Sequence, residues 1–139
     1  MRTIHHTWVL MILSSLILSA CGASAGPSTS VSITMTEFTF LPNTLSVPAG
    51  QDITITVTNT GAVAHDLMIM KQGKEILGHD DLEDGRADAY WSQEALEPGE
   101  SLVSTFVAPT VPGEYQIVCG VAGHLEAGMV GKLIVVAAP

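Results

Sequence analysis

Hydrophobic and polar residues alternate along several short segments of this chain. In the first of them, 31–36, Val, Ile and Met alternate with Ser and Thr, and two phenylalanines follow at 38 and 40. A period of two with many β-branched residues predicts a half-buried β-strand. Six further segments have this character and are predicted as strands: Thr44–Val47, Asp52–Thr58, His65–Met70, Ser101–Val107, Glu114–Cys119 and Val130–Val136.

Turn-forming residues separate most of these segments. Short runs of Pro, Gly and Asn lie at 42–43, 48–50, 59–61, 98–99 and 112–113. Short strands punctuated in this way predict an all-β fold, an antiparallel Greek-key β-sandwich. With 139 residues, the chain is long enough for one such domain and too short for two.

The stretch 71–100 departs from the alternation and is rich in acidic residues. It predicts an inserted acidic loop or a short helix within the sandwich. The stretch does not match a calcium-binding loop that starts at Asp80. The third and twelfth positions of such a loop require oxygen ligands, and here they are Leu82 and Trp91. A solvent-exposed acidic face is the simpler interpretation.

The amino-terminal region has the pattern of an export signal. Arg2 precedes an apolar run over 8–18 that is too short to span a bilayer. The sequence LSAC at 18–21 resembles the lipobox of bacterial lipoproteins. That resemblance implies a lipoprotein signal peptide over 1–20, cleavage before Cys21 and a diacylglyceryl group on its thiol. A plain secretory signal is the alternative, and it would leave a free thiol at Cys21.

The residues that follow are small, with Gly, Ala, Ser and Pro predominating, and predict a flexible tether over 21–30 that carries the lipid on Cys21. The folded domain is then predicted to span 31–137. Two or more acyl chains make a stable anchor. We therefore expect an exported domain that is lipid-anchored to a membrane at its periplasmic or extracytoplasmic face.

The charge balance is acidic, with 14 Asp and Glu against 5 Lys and Arg. This excess makes nucleic acid an unsuitable partner. The same negative charge would attract a basic protein partner.

The segment 119–129 carries the candidate chemistry. Cys119 ends a predicted strand, and His124 and Met129 follow at intervals of five residues. Thiolate and thioether ligands select copper over hard cations, and imidazole suits copper in both oxidation states. A fourth donor is needed, and His65 is the remaining histidine that lies at a strand end within the alternating pattern. Two His, one Cys and a weak Met are the ligand set of blue-copper sites.

Each of these residues also has an ordinary structural interpretation, as a buried Cys, a core Met or a solvated His. Their order and spacing together distinguish a metal site from these alternatives. With Cys21 assigned to the lipid, Cys119 is the sole thiol of the folded domain. The sequence therefore predicts a site for one copper ion and leaves no partner for a disulfide.

The pattern C-x4-H-x4-M with a histidine far upstream resembles the cupredoxins, over 31–136, and its spacing is similar to that of auracyanins and rusticyanin. The resemblance implies a mononuclear type 1 (blue) copper protein that carries electrons and is not an enzyme. It implies that His65 and His124 bind through Nδ1, Cys119 through sulfur and Met129 as the long axial ligand.

The resemblance also implies redox partners such as c-type cytochromes or membrane electron-transfer complexes. It further implies that His124 reaches the surface through an apolar patch, for which the candidates are Pro42, Val63, Val121, Ala122 and Leu125.

The chain departs from the family at two positions. Many cupredoxins follow the first His with Asn, whose side chain is tied to a Ser or Thr after the Cys. Here these positions are Asp66 and Gly120. We therefore expect backbone hydrogen bonds to the sulfur, together with packing, to hold the site.

Other functions of the same fold remain as alternatives. The dinuclear copper subunit of a terminal oxidase needs two cysteines in the loop, and nitrite reductases and multicopper oxidases need further histidines and domains. A copper chaperone would favour an open site rich in Met and His. A sandwich lipoprotein without metal would be colourless.

Overall fold

The computed structural model of the chain describes residues 26–78, 80–82 and 86–138. The described residues form nine strands and a short 3-10 helix, Arg86–Asp88, and residues 80–82 are also helical. The strands are β1 Ser30–Thr36, β2 Thr39–Leu41, β3 Thr44–Pro48, β4 Asp52–Asn59, β5 His65–Met70, β6 Ala89–Leu96, β7 Ser101–Val107, β8 Gly113–Val118 and β9 Val130–Val136.

The described strands form two sheets, one of four strands in the order β2-β1-β4-β7 and one of five in the order β3-β9-β8-β5-β6. The predicted all-β sandwich is confirmed. The expectation of purely antiparallel pairing is wrong at two places, since β1 pairs with β4 and β3 with β9 in parallel. Alternation reports which face of a strand is buried but not the direction of its neighbour, which depends on how the chain crosses between the sheets.

The core lies between the two sheets and follows the alternation of the sequence. On β4, for example, Ile53, Ile55 and Val57 are fully buried. Each such side chain stabilises the fold by roughly 1.5–3 kcal/mol through removal of apolar surface from water. The same cluster extends to Cys119 and Met129, so the predicted metal site lies against the hydrophobic core.

The segment 71–100 contains a short helix, as predicted, and also the eight-residue strand β6, which was not predicted. Strand β6 pairs with β5 along the edge of the five-stranded sheet, where Met68 faces Ser92 and Ile69 faces Trp91. Most of its residues are exposed or half-buried, so the sequence lacks the alternation that marks the other strands. Pairing with β5 therefore decides its conformation.

The same segment covers the outer face of β5. Ile76 and Leu82 are buried in a second cluster with Met68, Met70, Val118 and Leu125. The segment is thus a cover for the sheet as well as an acidic surface.

The predicted signal peptide and Cys21 lie outside the described residues. Of the predicted tether, the structure describes the part from Gly26 onward. In this part the N–H of Ser28 donates to the carbonyl of Ser46 at 3.0 Å, and the carbonyl of Thr29 accepts a hydrogen bond from Thr54 at 2.8 Å. Among the described residues there is no helix with the length and hydropathy of a membrane span.

Candidate metal centre

Three of the four predicted ligands come together in the folded chain. His65 begins β5, Cys119 follows β8, and His124 lies in the loop before β9; all three are buried. Their donor atoms all lie within 4.8 Å of one another. The two Nδ1 atoms are 3.1 Å apart, and the sulfur of Cys119 is 3.4 Å from Nδ1 of His124.

Met129 lies beside these residues and is fully buried in the cluster that contains Cys119. Its backbone is tied to both neighbours. The Met129 N–H donates to the carbonyl of His124 at 3.0 Å, and its carbonyl accepts from the N–H of Cys119 at 3.3 Å. These bonds bring the fourth predicted ligand to the same end of the core.

The loop 119–129 is shaped by its own backbone. The N–H of His124 donates to Val121 at 3.1 Å, and the N–H of Gly128 donates to Leu125 at 2.9 Å. Gly123 and Gly128 have φ angles of 83° and 93°, where glycine has no steric penalty. Successive tight turns therefore bring both ends of the loop together.

The approach to His65 is shaped instead by the side chain of Asn59, which is fully buried at the end of β4. Its amide Nδ2 donates to the carbonyls of Val63 and Leu96, both at 2.8 Å. Its Oδ1 accepts from the N–H of Gly61 at 2.8 Å. One side chain thus folds the turn that leads into β5.

Glu37 closes over the same turn from the link between β1 and β2. Its carboxylate accepts hydrogen bonds from the N–H groups of Ala62 and Val63, which lower the pKa of Glu37 below its usual range. The nearest carboxylate oxygen lies 3.8 Å from Nε2 of His65. That Nε2 is buried and has no hydrogen-bond partner among the described residues.

Burial shifts the pKa values of two predicted ligands in opposite directions. It lowers the pKa of His65, to which the charge of His124 also contributes, whereas the carboxylate of Glu37 acts against the shift. Burial raises the pKa of the Cys119 thiol to about 11, although N–H groups of Val121 and Asp66 that bind the sulfur oppose this. Without a metal, His65 is therefore neutral and Cys119 protonated at neutral pH.

The structure also contains a tie between the two ligand segments that the sequence did not reveal. The Asp66 carboxylate accepts a hydrogen bond from the N–H of Gly120, and Nη2 of Arg86 donates to the carbonyl of Gly120 at 2.8 Å. A carboxylate can accept from a backbone N–H as an asparagine carbonyl does, so Asp66 was a usable signal. No signal in the sequence pointed to Arg86, because this residue lies outside every motif.

The donor set fits copper. Thiolate, thioether and imidazole are soft or borderline ligands, and all four predicted side chains are buried, so hard cations would lack the oxygen ligands they prefer. The backbone N–H groups of Asp66 and Val121 act on the sulfur in the direction expected for backbone donors, since both lower the pKa of the Cys119 thiol.

The surface next to His124 is partly apolar. The ring of Phe38 meets the His124 ring edge-on at 4.9 Å and is 40 % exposed. Of the predicted patch, Pro42, Val63 and Ala122 are exposed and Val121 is half-buried. Leu125 was wrongly included, because it is buried in the second cluster.

The chain matches the family model of the cupredoxin-like domain over residues 8–135. Among solved structures, reduced auracyanin from Roseiflexus castenholzii is 30 % identical with a TM-score of 0.70, and the match covers 82 % of this chain and 100 % of that one. Auracyanin A, a "blue" copper protein from Chloroflexus aurantiacus, is 27 % identical with a TM-score of 0.64, over 77 % of this chain and 99 % of that one.

Auracyanin B is 24 % identical with a TM-score of 0.66, over 82 % of this chain and 93 % of that chain, and supports the fold alone. No curated protein sequence matches the chain significantly.

Proposed function

The chain belongs to the cupredoxin family, and we propose that it is a mononuclear type 1 (blue) copper protein that shuttles single electrons between redox partners at the outer face of a bacterial membrane. Its cofactor is one copper ion. The observation that carries the proposal is the convergence of two imidazole nitrogens and one thiol sulfur within 4.8 Å of one another.

His65, Cys119 and His124 would hold the copper, and Met129 would supply a weak thioether donor. When bound, the ion supplies one-electron chemistry through the Cu(I)/Cu(II) couple. The protein's contribution is to keep the four side chains in place. Backbone hydrogen bonds within the loop and the buried Asn59 restrict their movement, so little rearrangement should accompany a change of charge on the metal.

A carrier is favoured over an enzyme because the site is enclosed. His124, the predicted ligand with most exposure, is only 7 % exposed, and His65 and Cys119 are fully buried. A substrate would find no open approach to the donor atoms. The similarity to auracyanins, one of which is a blue copper protein, favours the same function.

The visible spectrum tests this function. Purified soluble domain titrated with Cu(II) should develop an intense thiolate-to-copper charge-transfer band that saturates at one copper per chain. Cys119→Ser should abolish the band, whereas exchange of a surface residue such as Lys132→Gln should leave it unchanged. A colourless wild type, or a band that persists in Cys119→Ser, would overturn the proposal.

The proposed location rests on the LSAC sequence at 18–21. Cells fed radiolabelled fatty acid should label the wild-type chain and the Cys119→Ser variant but not Cys21→Ala. The first variant controls for the loss of a cysteine as such. A wild type that carries no label would exclude the lipid anchor.

The proposed partner is a basic redox protein such as a c-type cytochrome. Without Arg2, four basic residues remain against 14 acidic ones, and such a charge accelerates encounter with a positive surface. Electron transfer to a basic cytochrome should slow as ionic strength rises, whereas transfer to an acidic redox protein should not. A rate that is independent of salt with both partners would contradict this choice.

A further inference from the structure

Arg86 lies in the 71–100 segment, yet its guanidinium reaches both of the segments that carry the proposed copper ligands. Nη2 donates to the carbonyl of Gly120 at 2.8 Å, and Nη1 lies 3.9 Å from a carboxylate oxygen of Asp66. Asp66 follows the ligand His65, and Gly120 follows the ligand Cys119. The side chain therefore contacts the neighbours of two ligands at once.

The backbone of Gly120 is held on both sides. Its N–H donates to the Asp66 carboxylate and its carbonyl accepts from Arg86. A Cβ at this position would lie 2.8 Å from Nη2 of Arg86, 2.9 Å from Asp66 and 2.9 Å from the methyl of Met68. A side chain at this position would therefore displace the ends of Arg86, Asp66 or Met68, so glycine lets Arg86 and Asp66 pack directly over the peptide.

The charge of Asp66 needs a cationic neighbour more than the half-exposed Arg86 needs an anion. The side chain of Asp66 is only 11 % exposed, and a carboxylate in such a place is destabilising unless it is paired and hydrogen-bonded. The described residues place the Arg86 guanidinium as its cationic neighbour. A negative charge left unpaired so near the metal would favour Cu(II) over Cu(I).

The helix that carries Arg86 is itself attached to the end of β5. The N–H of Lys71 donates to the carbonyl of Asp88 at 2.9 Å, and the side chains of Lys71 and Lys74 form ion pairs with Asp88 at 3.4 and 2.9 Å. These bonds hold the short helix beside the strand on which Asp66 lies. Arg86 is therefore presented by an attached element and not by a free loop.

We propose that Arg86 is a positioning residue of the copper site, which holds the peptide after Cys119 and neutralises Asp66, so that the 71–100 segment sets the reduction potential. This inference rests on the proposed copper function for its redox consequence. Its structural part, the tie at Gly120, does not depend on the metal.

The test compares three variants of the full folded domain. Arg86→Gln removes the charge, Arg86→Lys keeps the charge but loses the planar fork, and Lys132→Gln removes an equal charge from a surface pair with Glu114. Arg86→Gln should lower the reduction potential, with a roughly threefold shift of the Cu(I)/Cu(II) ratio toward Cu(II), because Arg86 is half-exposed and solvent weakens its effect. Lys132→Gln should shift it much less.

Arg86→Lys should restore most of the potential, since the charge remains. It should not restore the protection of the Gly120 amide against hydrogen exchange, which NMR measures in the metal-free protein. The effect of Arg86→Gln on the potential should shrink in an Asp66→Asn background, where the amide oxygen can still accept from Gly120 but carries no charge.

Equal potentials for Arg86→Gln and Lys132→Gln, with unchanged protection of the Gly120 amide, would overturn the inference. If even the wild type lacks a blue band, the copper function fails. The exchange of the Gly120 amide in the metal-free variants then still decides whether Arg86 holds the peptide.

Discussion

The two segments that carry the proposed copper ligands are held in different ways. The downstream loop, 119–129, closes through hydrogen bonds between its own backbone groups. The upstream segment, 59–65, is held by the side chains of Asn59 and Glu37, of which Glu37 comes from a different part of the sheet. The downstream loop can adopt its conformation through bonds among its own residues. The position of His65, a single ligand at the start of a strand, depends instead on side chains from other parts of the fold.

The difference also concerns charge. In the downstream loop burial raises the pKa of Cys119 to about 11, whereas in the upstream segment it lowers the pKa of His65. The thiol must lose a proton before it binds a metal, and His65 has already lost its proton at neutral pH. The proton that is released when the metal binds therefore comes from Cys119 in the downstream loop.

Removing the side chain that organises the upstream segment should have the largest effect. Asn59→Ala leaves the buried carbonyl of Leu96, the part-buried carbonyl of Val63 and the N–H of Gly61 without their partner. Each lost partner costs about 1–3 kcal/mol, so we expect the free energy of unfolding of the metal-free domain to fall by roughly 3 kcal/mol in urea titrations. The exposed Asn43→Ala is the control, and equal stabilities of the two variants would show that the upstream turn does not depend on Asn59.

The pKa contrast predicts how copper affinity varies with pH. Because the Cys119 thiol stays protonated up to a pKa of about 11, the thiolate fraction rises about tenfold per pH unit between pH 7 and pH 9. Affinity for Cu(I), measured anaerobically against a competing chelator, should therefore rise about a hundredfold over that range. One proton should be released per copper at pH 7 to 9. An affinity that is independent of pH would mean that the thiol is already ionised in the metal-free protein.

Two glycine variants compare the segments directly. In Gly61→Ala the new methyl would lie 2.6 Å from the Glu37 carboxylate and 2.9 Å from Nε2 of His65, so Glu37 must move and release its backbone partners. We expect a loss of about 2 kcal/mol in stability. In Gly123→Ala the methyl meets open space, and the φ of 83° alone costs about 1 kcal/mol. A larger loss for Gly123→Ala would reverse the comparison.

The smallest effect is expected at Met129. Met129→Leu conserves volume, so the fold and the blue colour should persist. Loss of a weak thioether donor should raise the reduction potential, by about 59 mV for a tenfold change in the Cu(I)/Cu(II) equilibrium. Protein-film voltammetry measures this shift. A lowered potential would contradict the role of Met129 as a ligand.

Much of the fold could be predicted because alternation is a local signal. Strands β3, β4, β5, β7, β8 and β9 lie within one or two residues of the predicted segments. Strand β6 was missed because it is an edge strand with largely exposed residues. The parallel pairs were missed because no local pattern encodes the direction of a neighbour.

The candidate site, like the fold, has residues that a local pattern predicts and residues that it does not. Cys119, His124 and Met129 could be identified from their spacing, and His65 from its place at the start of a strand. The roles of Glu37 and Arg86 could not, because each reaches the site from a distant element. The role of Asp66 was open, since its partner Gly120 has no side chain to reveal the contact.

The sequence by itself predicted the four candidate ligand residues and most of the strands, and it determined the acidic charge, because these follow from residue type and from spacing along the chain. Tertiary structure alone decided that Asn59 and Glu37 organise the approach to His65. It also decided that Arg86 covers Gly120, which brings the 71–100 segment into the site. The physical reason is that a hydrogen bond between distant elements depends on strand order and register, which are settled by packing of the whole core.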